Sequence, residues 1–379
     1  MPTATPQAPL PANRGVFELS AGGDAAIPTP YPTGITGVNC RDYWTNLNPS
    51  SGSYSFTTLD ACISQAYGAG LKIVIDISSG TAPDWELEKL AALTPTGVYS
   101  MTWDKSFKPP NQLSAPVFIC APFEFPIPYN ATFQADYDTF IQALATNIGE
   151  QAGAANVVRI EGAGVASTTD ENYLPYYTAS AAAAVTLVCN GTSSQCIGVG
   201  ATPVQTSKGT EYVCNPSDYL DAWITAGYTP NKIISAFTTN VDNWNTAFPS
   251  AFIDAALITP SNAFPGINNS GQATGQASDS TLINSLISVM TAANFNAVIQ
   301  NNGWNSFVEP SIKIQAGLIP TGYQESGALG ANFPNDSVLL SPACAQWAEV
   351  YQADFTVGNA AALATLQSAL VNAPCVPSQ

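Results

Sequence analysis

Carboxylate side chains that end or follow strand-like runs are the residues of this chain best placed for chemistry. The sequence contains no histidine, which excludes Ser-His-Asp triads, Cys-His nucleophiles and His-ligated zinc or haem. Acid–base chemistry must therefore run on carboxylates, Tyr, Lys or Cys. The carboxylates in question are Asp42, Asp76, Glu161, Asp170, Glu171, Glu325 and Glu349.

Two carboxyl groups on separate strands that face one cavity are the minimum equipment for breaking a glycosidic bond. One donates a proton to the leaving oxygen, and the other attacks the sugar or activates water. The composition fits a neutral, hydroxyl-rich ligand, because only 10% of the residues are charged, against about a quarter in an average protein. Adaptation to acidic or secreted conditions explains the same composition equally well.

The overall charge argues against two classes of partner. The formal net charge is −17, with an isoelectric point near 4.1. Such a field repels nucleic-acid phosphates and anionic lipid. No apolar run reaches the length of a membrane span. We therefore expect neither a nucleic-acid partner nor a membrane partner.

Strand-like and helical patterns alternate along the chain, with no linker in the middle. This alternation indicates parallel βα units and, at 379 residues, a single α/β domain with a (β/α)8 barrel and long βα loops. The fallback is a doubly wound open sheet, although no Gly-rich dinucleotide motif supports it. The strand candidates, one more than a barrel needs, are 15–20, 35–39, 71–77, 157–160, 232–238, 251–259, 296–300, 318–324 and 348–354.

The remaining segments complete the predicted domain. Residues 1–13 are rich in Pro, Ala and Thr, which predicts a disordered arm before a barrel over 14–379. Apolar spacings of three and four residues predict helices over 56–67, 133–151 and 359–370. The stretch 81–132 reads as a long irregular loop, which is normally functional.

The first ninety residues resemble a known enzyme superfamily. The run GVNCRDYW at 37–44, then LNPSSGSYSF at 47–56, LD at 59–60, AGLKIVI at 69–75 and GTAPDW at 80–85 are similar to a conserved passage of retaining (β/α)8 glycoside hydrolases. That superfamily includes cellulases, mannanases and β-galactosidases. The resemblance implies a (β/α)8 fold, hydrolysis of O-glycosidic bonds, a carbohydrate substrate and no cofactor or metal.

The resemblance also implies roles for two glutamates. The superfamily's acid/base Glu follows the fourth strand, usually after Asn, and Glu171 best fits that role, with Asp170 in place of the Asn. The nucleophile follows the seventh strand, where Glu325 in the run YQESG best fits. Glu161, closer to the fourth strand, and Glu349, in the last strand-like run, are the alternatives.

Other residues are candidates for substrate binding. Arg41 would keep the nucleophile ionised by charge proximity. Trp44, Trp85 and Trp304 would offer flat faces to sugar rings, and Tyr323 could hydrogen-bond a carboxylate. A place in the hydrophobic core is as good an explanation for any single aromatic residue.

The eight cysteines favour an oxidising compartment. Their number is even and no CxxC pair occurs, so disulfides are the better interpretation, with Cys189 and Cys196 able to close a short loop. Acceptor triplets for N-glycosylation at Asn130, Asn190, Asn268 and Asn335 agree with export. We expect a secreted monomer.

These observations predict a secreted, endo-acting, retaining glycosidase for β-linked neutral polysaccharide such as mannan or glucan. Two alternatives stay open. The first is a (β/α)8 barrel that binds carbohydrate without catalysis, and the second is an inverting hydrolase that uses Asp76 or Glu161.

Overall fold

Eight parallel strands close into a barrel, as the sequence predicted. The computed structural model describes residues 14–19, 31–78, 82–102, 122–161, 185–187, 201–206, 209–214, 224–257, 268–272, 281–292, 297–302, 319–325, 328–337, 340 and 345–372. The strands follow one another around the barrel in chain order, and the last pairs with the first. They are β1 (Gly15–Leu19), β2 (Gly37–Tyr43), β3 (Lys72–Ser78), β4 (Val157–Glu161), β5 (Phe252–Leu257), β6 (Ala297–Asn302), β7 (Thr321–Gln324) and β8 (Trp347–Tyr351).

The helices lie around this barrel. They are α1 (Trp44–Leu47), α2 (Thr57–Gly68), α3 (Asp84–Ala91), α4 (Ala131–Gly149), α5 (Pro230–Ala247), α6 (Thr281–Ala292), α7 (Phe333–Asp336) and α8 (Ala360–Asn372). Predictions for α2, α4 and α8 are confirmed to within two residues at each end. In α2 the apolar residues at spacings of three and four are all buried: Leu59, Cys62, Ile63 and Ala66.

The surplus strand candidate, 232–238, is wrong. It lies inside α5, where Ile233, Phe237, Val241 and Trp244 are buried at helical spacing. Thr229 caps this helix by accepting from the Lys232 backbone N–H, and Pro230 occupies its first turn. Both are helix-start signals. The β-branched and aromatic residues of this segment are also typical of a buried strand, which explains the wrong prediction.

Two other boundaries differ from the prediction. The second strand continues to Tyr43, so Arg41 and Asp42 belong to the strand and do not follow it. The stretch 81–132 is not irregular throughout, because it contains α3 and an antiparallel hairpin of Val98–Thr102 with Pro122–Pro126. A further three-stranded antiparallel sheet, built from Val185–Leu187, Ala201–Thr206 and Gly209–Cys214, follows β4. Residues 1–13 lie outside the described residues.

Apolar side chains form two layers, one outside the barrel wall and one inside it. Outside, β2 to β6 and the surrounding helices share a large cluster that includes Trp44, Ile75, Phe140 and Trp244. Inside, a small cluster fills the axis: Phe17, Val74, Val158, Phe252, Val298 and Trp347. Because the interior is filled at this level, polar side chains can meet only in the layers above it.

A disulfide fastens β2 to the helix that follows it. Cys40 and Cys62 are bonded, with their Cα atoms 5.9 Å apart, and both are buried. The loop it closes is short, so the bond holds α2 against the outer wall of the barrel next to the strand that carries Arg41.

The apolar cluster inside the barrel leaves no room for a side chain at Gly322. A Cβ atom at Gly322 would lie 1.8–2.3 Å from three atoms of the Trp347 indole. We expect Gly322→Ala to destabilise the protein by at least ~1–3 kcal/mol through overpacking, measured by urea denaturation. The matched control is Gly149→Ala at the end of α4, where no atom would lie within 4 Å of the new Cβ; it should leave stability unchanged or higher. Equal stability of Gly322→Ala and the wild type would contradict the prediction.

Candidate active site

A cluster of buried charges lies on the barrel axis directly above the apolar floor. Alternate residues of each strand point inward, which brings charged side chains from five strands together. In the described part of this interior two arginines face four carboxyl groups, all at most 7% exposed. They are Arg41, Arg159, Asp76, Glu161, Asp254 and Glu349.

Arg159 is at the centre of the cluster. Its Nε lies 3.2 Å from Glu161 Oε1 and 3.1 Å from Asp254 Oδ2, and its Nη2 donates to Glu349 Oε1. The guanidinium also lies 4.9 Å from the centre of the Phe17 ring and 4.5 Å from that of the Trp347 ring. One cation therefore fixes three carboxyl groups from β4, β5 and β8.

Glu349 accepts hydrogen bonds from amide donors on three other strands. Asn39 and Gln324 each donate to its Oε2 at 3.2 Å, and Gln300 donates at 3.3 Å. The Trp347 indole N–H in turn donates to the Gln300 amide oxygen at 2.6 Å, which orients the amide. This environment is built to hold a carboxylate in its charged form.

Glu161 and Glu349 are neighbours whose surroundings shift their pKa values in opposite directions. The Asn39 amide nitrogen donates to both, at 3.2 Å each. Burial, followed by the charge of Glu349, raises the pKa of Glu161 well above its ordinary value. Burial would raise the pKa of Glu349 too, but Arg159, hydrogen bonds from Glu161 and Arg159, and the charge of Arg41 together lower it. The surroundings therefore favour the protonated form of Glu161 and the charged form of Glu349.

Two further groups complete the cluster. Arg41 Nε donates to Asp76 Oδ2 at 2.6 Å, so Arg41 is paired within the site and also acts on Glu349 through its charge. Burial, against the opposing effect of Arg159, raises the pKa of Asp254 to about 8. Asp254 therefore holds a proton at neutral pH beside the central arginine.

Glu325 lies outside this cluster. It follows β7 directly, but alternation along TGYQE points Gly322 and Gln324 inward and Tyr323 and Glu325 outward. Its Oε2 accepts from the Tyr351 backbone N–H at 2.7 Å. Burial raises the pKa of Glu325 to about 9, with Asp354 as a hydrogen-bonding neighbour. Asp354 itself accepts from the backbone N–H groups of Leu329 and Gly330 at 2.6 Å. Glu325 thus fastens the ends of β7 and β8 to the segment that follows.

The predicted aromatic platforms lie mainly in the outer core. Trp44 is fully buried and packs edge-on against Trp85 and the aromatic rings of α4, so it offers no face to a sugar. Trp85 is half-buried, and its indole N–H donates to the Asn48 carbonyl at 2.9 Å. Tyr323 is fully buried in the outer cluster beside α7 and α8. Glu171 and Trp304 lie outside the described residues.

The most central residues were not identified from the sequence. Asn39, Arg159, Asp254, Gln300 and Gln324 all fall within strand-like runs, and an inward charge looks like an ordinary strand residue. The usable signal was a polar residue inside an apolar run at each position, as in VVRIE and FIDAA.

No group of three or more metal-ligating side chains occurs within the described ranges, and no helix among them is long and apolar enough to cross a membrane.

Two comparisons with known proteins bear on the fold and the family. A family model described as "Beta-galactosidase", for a glycoside hydrolase family, matches residues 37–118. The catalytic domain of β-amylase from Paenibacillus polymyxa has a similar structure, with a TM-score of 0.54 over 94% of this chain and 98% of that one, at 12% identity. The family match supports a glycoside hydrolase, and the structural match shows the (β/α)8 fold. No curated protein sequence matches it.

The two comparisons differ in how much of the chain they cover and in what they show. The family model spans β2, α2, β3 and the start of the hairpin insertion, which is the region that carries Asn39, Arg41 and Asp76. At 12% identity the β-amylase domain shows the fold alone. The roles of the carboxyl groups inside the barrel therefore follow from their own contacts and not from this neighbour.

The raised pKa values predict how the stability of this protein depends on pH. Burial raises the pKa of Asp254 from 3.8 to about 8, and those of Glu18 and Glu86 to about 7 and about 8. Between pH 4 and pH 8 the folded state keeps protons that the unfolded chain has released, so rising pH favours unfolding. We expect the thermal unfolding midpoint to fall from pH 4.5 to pH 8 at constant ionic strength.

Asp254→Asn is the control for this prediction. It keeps the shape of the side chain next to Arg159 but removes the titration, so the midpoint should change less with pH than in the wild type. A midpoint that stays constant or rises over this range would show that the buried carboxyl groups are already ionised in the folded protein.

Proposed function

We propose that this glycosidase is a secreted, endo-acting, retaining enzyme for β-linked neutral polysaccharide, with Glu161 as acid/base and Glu349 as nucleophile. The observation that carries the proposal is that two carboxyl groups at the strand ends share the Asn39 amide donor, at 3.2 Å each, while only Glu349 also receives the Gln300 and Gln324 amides. These contacts shift the pKa values of the two groups in opposite directions. Environments that push two titratable groups apart in this way are typical of an acid and its partner base or nucleophile. Glu171 and Glu325 were the first candidates from the sequence; the contacts described above favour the alternative pair.

Glu161 has the properties of the general acid. It is the last residue of β4, and functional residues of (β/α)8 barrels lie at this end of the strands. Its raised pKa keeps a proton available at neutral pH. A sugar bound between the two carboxyl groups would redirect that proton from Glu349 to the glycosidic oxygen. Once the leaving group has departed, Glu161 would take a proton from the incoming water.

Glu349 has the properties of the nucleophile. Arg159 and three amide donors hold its carboxylate ionised and oriented. Its shared donor with Glu161 keeps the two groups close, which agrees with the separation of ~5–5.5 Å in retaining enzymes better than with the ~6.5–9.5 Å of inverting ones. The glycosyl-enzyme would form on the carboxylate oxygen that faces the bound sugar.

Charge and loop structure support the substrate class and the mode of cleavage. The two arginines of the barrel interior offset the charge of its carboxylates. The net charge of −17 disfavours the binding of acidic polymers. Insertions follow two strands at the carboxyl end, the helix-hairpin unit after β3 and the three-stranded sheet after β4. Loops on this scale suit the walls of a cleft for a polymer such as mannan or β-glucan.

The buried disulfide supports secretion. The Cys40–Cys62 bond requires an oxidising compartment to form and persist. The low content of charged residues and the acceptor triplets for N-glycosylation point the same way. We propose that the secreted enzyme acts as a monomer.

Single amide substitutions test the proposed pair. We expect wild-type protein to release reducing sugar from one or more of mannan, xylan, β-glucan and galactan. Glu161→Gln and Glu349→Gln should each lower kcat/KM by at least ~10³-fold, because each removes one of the two carboxyl groups that the reaction needs. Glu325→Gln is the matched control: it should keep near-wild-type activity and lose only stability.

The outcome of this experiment discriminates among the candidates. Activity lost in Glu325→Gln but kept in Glu349→Gln would return the nucleophile to the end of β7. An inverted anomer in the first product, seen by NMR, would favour the inverting mechanism with Asp76 or Glu161. Thermal unfolding of every variant checks that loss of activity is not loss of fold.

One observation favours a second function, carbohydrate binding without hydrolysis. The inward-facing residue at the end of β7 is Gln324, at the strand end where the superfamily that this chain resembles carries its nucleophile. An amide there can bind a sugar hydroxyl but cannot attack an anomeric carbon. No release from any polysaccharide, together with retention on an insoluble one in a pull-down, would establish this second function.

A further inference from the structure

An acceptor triplet for N-glycosylation adjoins a cavity that the proposed reaction does not use. Asn130, Ala131 and Thr132 form the triplet at the start of α4. A cavity of about 730 Å³ adjoins it, lined by Pro95, Thr96, Tyr99, Glu124, Tyr129 and Lys232 among others, and by Asn130 itself. Its volume is in the range of ligand pockets, ~300–1,000 Å³. We propose that Asn130 carries an N-linked glycan whose first sugar rings occupy this cavity.

The Asn130 side chain leaves its nitrogen available for this bond. Its Oδ1 caps α4 by accepting from the backbone N–H groups of Thr132 and Phe133, at 2.9 and 3.2 Å. Within the described residues Nδ2 donates no hydrogen bond. A Cβ at position 97 would lie 2.9 Å from Nδ2, so a larger residue than Gly97 would crowd that nitrogen. The residue can therefore cap the helix and carry a glycan at once.

The lining of the cavity suits neutral sugar rings. Tyr129 is half-buried, and its hydroxyl donates to the Ala226 carbonyl at 3.0 Å, which holds the ring in place. Aromatic rings pack well against the apolar faces of sugars, and a sugar here would share the Tyr129 ring with the Lys232 ammonium, which lies 4.9 Å from its centre. Exposed Glu124 and Lys232 contribute one charge of each sign at the rim. Thr96 adds a hydroxyl. The result is a wall with polar groups at its edge and no excess charge.

The modification is a group transfer from a lipid-pyrophosphate-linked oligosaccharide. The bond between Asn130 Nδ2 and the first anomeric carbon forms as the bond from that carbon to the pyrophosphate oxygen breaks. The lipid pyrophosphate departs with the electron pair, and the amide nitrogen loses one proton. No oxidant or reductant is needed, and the transfer shares with the proposed function only the secretory route.

The two other triplets that the structure describes have different surroundings. Asn268 is exposed in a turn, with its Oδ1 accepting from Ser270 and Gln272 backbone N–H groups. Asn335 lies within α7, and its partner hydroxyl residue Ser337 is buried. Asn190 lies outside the described residues. Of the described triplets, the Asn130 triplet combines an adjoining cavity with an amide nitrogen that donates no hydrogen bond to a described residue.

Two variants separate the glycan from the helix cap. Ala131→Pro destroys the triplet, because Pro is not accepted at its middle position. Pro is well tolerated at the first residue of a helix, and Asn130 already has the extended conformation, φ −74° and ψ 126°, that a following Pro requires. Asn130→Asp also removes the acceptor while keeping a capping oxygen. Thr132→Ser keeps the triplet and is the positive control.

The test is peptide mass spectrometry and hydrogen exchange on full-length protein secreted from a eukaryotic host. We expect a glycan on Asn130 in the wild type and in Thr132→Ser, and none in Ala131→Pro or Asn130→Asp. We also expect backbone amides at 96–99 to exchange at least ~10-fold faster in Ala131→Pro than in the glycosylated wild type. Secreted wild-type protein with unmodified Asn130 would overturn the proposal. A glycan without any change in exchange would overturn its place in the cavity. Neither readout depends on hydrolase activity, so failure here is distinct from failure of the proposed function.

Discussion

The guanidinium of Arg159 is the interaction on which the barrel interior depends. It contacts Glu161, Asp254 and Glu349 from three strands and lies over the rings of Phe17 and Trp347. Removal of one partner of a buried ion pair costs about 3–5 kcal/mol, because the other charge is left without compensation. A second interior arginine, Arg41, pairs with Asp76 on the neighbouring strand. With only these two cations, the interior can hold four carboxyl groups only if some of them keep their protons.

Proton retention connects the stability of the barrel with its chemistry. Burial is the largest cause of the raised pKa of both Glu161 and Asp254, so the same dry interior that costs stability at high pH supplies an acid at neutral pH. Glu349 escapes this effect because it receives the strongest contact with Arg159 and three amide donors. The difference between Glu161 and Glu349 is therefore a difference in hydrogen-bond donors and not in depth.

The fold was more predictable than the site, for a physical reason. Runs such as KIVIDIS in β3 and the three-four spacing in α2 are local signals, and they predicted the barrel. The direction of a side chain at a strand end depends on register. Gly322 must face inward beneath the Trp347 indole, and this sets Gln324 inward and Glu325 outward. A one-residue change in alternation decides which carboxylate reaches the axis, and the sequence around YQES does not reveal it.

The composition and the interior lead to the same conditions. A chain with 27 acidic and 10 basic residues repels itself more strongly as pH rises, and its buried carboxyl groups lose their protons in the same direction. Histidine is absent, so no imidazole supplies compensating charge near neutrality. Each of these terms favours a folded state at mildly acidic pH, where Glu161 keeps its proton and Arg159 still holds Glu349 ionised. The excess of acidic residues and the protonated interior carboxyl groups therefore favour the same pH range for the folded state.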